Sequence, residues 1–219
     1  MPKSSCRGWA IEEFGKAQLG DARRTSRLVA MASEVARSPS GKVTSAFRRS
    51  ADRQGAYDFL ESGHVLPEAI LSAATDATCR RASEFPFVFV PLDGTSLNLA
   101  DHKLTKDFGS VGSRERGARG LKIVSAVAVS PEGTPLGIAT LQWWARGPRH
   151  HLSRVRRGIE DKELQHWLRA VDAIATSFRT LTRRTRAWFQ LDREGFTRVV
   201  AHTFRRSSVD RTPDRNMEH

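Results

Sequence analysis

The run Phe85-Pro86-Phe87-Val88-Phe89-Val90-Pro91-Leu92 gives way at once to Asp93-Gly94-Thr95-Ser96, and this junction constrains the chain more than any other stretch. A short segment rich in aromatic and β-branched residues, bounded by Pro and Gly, predicts a strand buried on both faces. A carboxylate at the end of such a strand loses its hydration unless it is paired or holds a cation. Asp93 is therefore a candidate site residue. An Asp-Gly pair also suits a simple turn, so the residue types alone leave turn and site both open.

A second segment is built in the same way. Arg186-Ala187-Trp188-Phe189-Gln190-Leu191 delivers Asp192, after which Phe196, Val199, Val200 and Phe204 recur at helical spacing. Asp192 fits a helix N-cap as well as a metal ligand. Two strand-terminal carboxylates share a cation only where their strands are neighbours in a sheet.

Charge bears on the partner. The chain of 219 residues has a net charge of +12, unevenly placed. Counted along the sequence, residues 1–63 hold 11 basic and 7 acidic side chains, residues 64–144 hold 8 of each, and residues 145–219 hold 17 and 9. Basic ends around a neutral middle favour a polyanionic partner, and the excess of Arg over Lys suits bidentate phosphate contact. Cys6 and Cys79 are too few for a disulfide framework or a thiolate metal site, and the seven histidines show no metal-ligand spacing. No apolar run approaches the roughly 20 residues of a membrane span, and no signal peptide opens the chain. The expectation is a cytoplasmic protein without a membrane partner.

Taken in order, Trp9, Ile11 and Phe14 predict a short first helix. Asp21 predicts the N-cap of a second, with Leu28, Met31, Ala32, Val35 and Ala36 on its apolar face and Arg23, Arg24 and Arg27 in its first turns. Cations there oppose the helix dipole, and a bound anion such as a DNA phosphate would relieve them; a solvated basic face is the other reading. A third helix is expected over about Ser45 to Glu61, bearing Arg48, Arg49, Arg53 and Gln54, residue types that hold phosphates and read base edges. It could equally serve as an ordinary helical cap. A further helix follows Pro67.

Residues 107–120 read as a mobile basic loop whose glycine spacing matches no nucleotide-binding fingerprint; beside an acidic site it could grip a DNA backbone, with Arg119 and Lys122 as candidate DNA-binding residues. Leu121 to Ser130 and Thr134 to Trp144 predict a hairpin, and Leu164, Trp167, Leu168, Val171, Ile174, Ala175 and Phe178 a strong helix. Three antiparallel strands, a crossover helix and a fourth strand returning beside the first give an α/β (α+β) sheet of ribonuclease H-like type, with Asp93 and Asp192 brought together.

Several motifs together, in order along the chain, resemble the DDE-type transposases of bacterial insertion elements, and the transposon-five transposase group in particular. They are Gly20-Asp21-Ala22-Arg23-Arg24-Thr25, Gln54-Gly55-Ala56-Tyr57-Asp58-Phe59, Leu92-Asp93-Gly94-Thr95-Ser96-Leu97, the loop from Phe108 to Gly120, Gln142-Trp143-Trp144 and Leu191-Asp192-Arg193-Glu194. The resemblance implies a helical domain over residues 1–63 that binds transposon ends in double-stranded DNA, and a partial ribonuclease H-like catalytic core over residues 64–204. Asp93 and Asp192 then match the first two carboxylates of a metal-binding triad. Mg²⁺ is the implied cofactor, with Mn²⁺ as its substitute, because phosphodiester cutting and joining need an activated oxygen nucleophile and a stabilised leaving oxygen.

The family's third carboxylate, a Glu in a Tyr-x-x-Arg-x-x-x-Glu helix, has no counterpart among these residues, and residues 205–219 read as a polar, disordered tail. The expectation is a C-terminally truncated transposase, inactive alone, working as a homodimer or with a full-length copy in the nucleoid. The alternative is a DNA-binding regulator that inhibits transposition.

Overall fold

A computed structural model describes residues 3–40, 42–100, 106–111, 118–147, 164–182 and 184–191. Asp192, the helix expected after it and the expected disordered tail lie outside the described residues. The N-terminal region is helical and is followed by a mixed sheet with flanking helices, the α+β arrangement expected.

The helices are α1 (Lys3–Phe14), α2 (Ala22–Arg37), α3 (Val43–Ala46), α4 (Ser50–Leu60), α5 (Pro67–Ala82) and α6 (Leu164–Leu181). The strands are β1 (Phe87–Asn98), β2 (Gly109–Ser110), β3 (Arg119–Val129), β4 (Pro135–Trp144) and β5 (Arg186–Leu191). Sheet order is β2-β3-β1-β5, with β4 also on β3. The fourth long strand thus returns beside the first. The Arg186 N–H donates to the Pro86 carbonyl at 3.0 Å, and the Trp188 ring meets Phe89 edge-on, centroids 5.8 Å apart. Residue numbers rise together through these two contacts, so β5 runs parallel to β1, as a crossover connection requires.

Two compact units make up the chain. The first comprises Met1–Val88, Ala128–Ala139 and Ser177–Arg186; the second comprises the described residues of Phe89–Val127, Thr140–Thr176 and those from Ala187 on. In the first, Ala17, Leu19, Leu28, Met31, Phe47, Ala56, Phe59 and Ala73 form a buried cluster that gathers α2, α3, α4 and α5.

The helix starts follow the sequence. Asp21 caps α2, its carboxylate accepting the Arg23 N–H at 2.8 Å, and Pro67 opens α5. The buried face of α2 is rotated from the expected one: Leu28, Val29, Met31 and Ser33 are inside while Val35 is exposed. In α1 the apolar Trp9 and Ile11 are exposed, and the small Cys6 and Ala10 are buried instead. The expected helix over Ser45 to Glu61 is two helices, interrupted at Phe47–Arg49. Phe47 is buried there and its backbone is extended.

The expected hairpin joins β3 to β4 through Ser130 and Thr134, bonded N–H to carbonyl at 2.8 Å, with Gly133 at φ +87°. The expected loop is structured at both of its described ends. Gly109 and Ser110 pair antiparallel with Gly120 and Arg119, a non-local pairing that no local propensity announces.

Candidate functional site

The acid-bearing strand is longer than its apolar run. β1 continues through Asp93 to Asn98, and its burial changes along its length: Val88, Val90 and Leu92 are buried, whereas every residue from Asp93 to Asn98 is exposed. Asp93 therefore sits at the point where β1 leaves the core, not at the strand's end. Pleating explains why the residues before it alternate rather than being buried on both faces. One Asp93 oxygen accepts the Gly94 N–H at 2.8 Å; among the described residues its other oxygen has no partner. Asp192 follows directly on Leu191, the last residue of β5, and itself lies outside the described residues.

The residue after Asp93 has a ring against one side of it. A Cβ placed on Gly94 would stand 2.6 Å from Cζ2 of Trp167, a residue of the first turns of α6 that is buried. Its neighbour His166 stacks on Trp144 at the end of β4, centroids 3.9 Å apart and planes 7° from parallel. Trp144 is thus a packing partner, while Trp143 is exposed.

Among the described residues no three His, Cys, Asp or Glu side chains gather into a metal-ligating group. Mg²⁺ is commonly held by one or two carboxylates together with water and substrate phosphate. An exposed carboxylate with an open oxygen, as at Asp93, suits that mode.

The basic residues of the N-terminal helices divide by what they touch. Arg24 donates to the Leu19 carbonyl at 3.0 Å. Arg53 donates to the carbonyls of Phe47 at 3.2 Å and Arg48 at 2.6 Å, which closes the break between α3 and α4. Both guanidiniums satisfy backbone oxygens of the segments that connect the helices. Arg27 lies across α4, its guanidinium 3.0 to 3.1 Å from where a Cβ of Gly55 would be. Gln54 donates to the Asp58 carboxylate at 2.7 Å.

Arg23 forms an ion pair with Asp21 at 3.2 Å, with its own side chain 93% exposed. Hydrogen bonds from the Arg23 backbone and side chain hold the Asp21 carboxyl below its usual range. Arg48 and Arg49 are exposed. Neither side chain has a partner among the described residues. In the second unit Arg119 donates to the Lys106 carbonyl at 3.2 Å, and Lys122 is half-buried on β3.

The bonding of the half-buried Arg24 and Arg53 to backbone carbonyls is the feature that charge counting missed. The signal available in the sequence was their position in the first turns of helices, close to the connecting segments whose carbonyls they reach. Both cysteines are free and buried. Among the described residues no helix is long and apolar enough to cross a membrane.

These helices, with their exposed arginines, coincide with a family match. Residues 6–65 match the family described as transposase DNA-binding, so the chain carries a transposase DNA-binding domain at its N-terminal end.

Proposed function

We propose that the chain is a DDE-type transposase of a bacterial insertion element, similar to the transposon-five group, acting on DNA in the cytoplasm. Its N-terminal helices hold the transposon end, and a ribonuclease H-like sheet presents Asp93 and Asp192 as the first two metal-binding carboxylates. The match of residues 6–65 carries this reading. It is supported by the strand order, which sets β5 beside β1, and by the positions of the two acids: Asp93 in β1 and Asp192 next after β5.

Each part of the chain then has a role. Arg23, Arg27, Arg48 and Arg49 neutralise phosphates of the duplex and set its register, the use to which exposed guanidiniums are commonly put. Asp93 offers its open oxygen at the exposed end of β1, where a phosphodiester can approach without entering the core. When bound, Mg²⁺ or Mn²⁺ supplies charge stabilisation at the reacting phosphate and a more acidic water. Two copies acting on two ends fit a reaction that joins separate DNA sites.

The test is binding to duplex DNA flanking the chain's own gene, by fluorescence anisotropy across a salt series, followed by cleavage with Mg²⁺ or Mn²⁺. The expected result is sequence-preferring, steeply salt-dependent binding that Asp93→Asn leaves intact, with any metal-dependent nicking lost in that variant. Binding indifferent to sequence and salt would overturn the proposal.

A further inference from the structure

We infer that Trp167 is a positioning residue for Asp93, acting through the backbone of Gly94; this rests on the reading of Asp93 as a metal-holding carboxylate. The Trp167 ring occupies the space that a side chain at position 94 would need, with Cζ2 2.6 Å and Cη2 3.3 Å from the site of a Cβ. Real Cβ atoms do not approach a ring carbon that closely, so only glycine accepts this ring without a shift of strand or helix. The indole has little freedom to retreat. It is buried, and the residue before it in α6 is stacked on Trp144, so two consecutive rings fasten the start of this helix to β1 and β4.

The outer half of β1, Asp93 through Asn98, has exposed side chains and is held through its backbone by β3. The indole supplies a further restraint at the residue next to the carboxylate. The Gly94 N–H in turn holds one Asp93 oxygen at 2.8 Å. That contact orients the carboxylate and leaves the second oxygen outward. Groups behind a ligand that fix its orientation commonly govern metal affinity by about 10-fold or more.

The experiment is titration of the full chain with Mn²⁺, free ion followed by electron paramagnetic resonance, for wild type, Asp93→Asn, Gly94→Ala, Trp167→Leu and the double variant Gly94→Ala with Trp167→Leu. Thermal melts accompany each titration. Asp93→Asn is expected to weaken Mn²⁺ binding strongly, and Gly94→Ala to weaken it by about 10-fold. The double variant, in which the collision is relieved, is expected to regain binding relative to Gly94→Ala and to bind like Trp167→Leu. Should Gly94→Ala not fold, the comparison of Trp167→Leu with the double variant and wild type still decides.

Mn²⁺ binding lost in Asp93→Asn but unchanged in Gly94→Ala and Trp167→Leu overturns the positioning role and leaves the metal reading standing. So does a Gly94→Ala defect that the double variant fails to relieve. A wild type that holds no Mn²⁺, or an Asp93→Asn variant that holds it equally well, overturns both.

Discussion

The Arg81 guanidinium meets the Glu13 carboxylate at 2.8 Å, with the Glu13 side chain only 7% exposed. The same arginine donates to the Leu136 carbonyl at 2.5 Å and pairs with Glu12 at 3.4 Å. One side chain of α5 thus ties α1 to the start of β4. Removing one member of a buried pair leaves the other charge desolvated, which is worth more than the pair's own net contribution. Arg81→Ala is expected to destabilise the chain by about 2–4 kcal/mol, read from denaturant melts. Glu12→Ala, at the exposed partner, should cost less than about 1 kcal/mol.

Gly137 lies against this pair. Its φ is +143°, and a Cβ there would meet Thr78 Oγ1 and stand 2.7 Å from Nη2 of Arg81. Gly137→Ala therefore strains the backbone and displaces the guanidinium together. We expect a loss of about 1–3 kcal/mol, and coupling with Arg81→Ala in a double-mutant cycle. Additivity of the two substitutions would show that the glycine serves the backbone alone.

Arg49 and Arg53 have the same charge and different expected phenotypes. Arg49→Ala should weaken DNA binding and reduce the slope of log affinity against log salt by about 0.9, with the melting curve unchanged. Arg53→Ala leaves two backbone carbonyls open and should cost about 1–2 kcal/mol of stability. Anisotropy titrations and denaturant melts on both variants separate the two roles.

Burial pushes the Cys79 thiol up to about 11 from a reference value of 9.0, with the nearby Asp76 carboxylate adding to the effect. The folded state holds the neutral thiol, while the unfolded chain ionises it above 9.0. Its contribution to stability is therefore fully present below pH 9 and is lost as pH rises toward about 11. Cys79→Ala should flatten the alkaline decline of the melting temperature over that window. Thiol reagents at pH 8 should label Cys79 only when the chain unfolds.

What the sequence disclosed, it disclosed through local chemistry. Asp21 announces a helix start because its carboxylate can reach an N–H two residues on, and it does. Val88, Val90 and Leu92 announce a core strand by residue type alone, and they are buried. The neighbouring of β1 and β5 followed from the order of elements, since a strand entering from a crossover helix returns to the same sheet. Long-range partners left no such trace. The buried Phe47 sits at the break in the third expected helix, and Trp9 is exposed although Glu13, four residues along α1, is drawn inward by Arg81. The continuation of β1 past Asp93 depends on β3, whose Arg119 carbonyl accepts the Leu99 N–H at 2.9 Å. The contact between Trp167 and Gly94 joins residues far apart in the chain, and no spacing rule predicts it.

The placement of β5 against β1 also sets a schedule for the molecule. The strand that holds Asp93 must wait for a segment roughly 90 residues downstream before that flank is occupied, and such long closures slow folding. On a ribosome the first strand emerges well ahead of its neighbour, with one row of backbone donors and acceptors still seeking a mate. Growing chains should accordingly be most prone to stray association in that interval, and a chaperone that shields a bare strand edge would raise the yield of the finished protein.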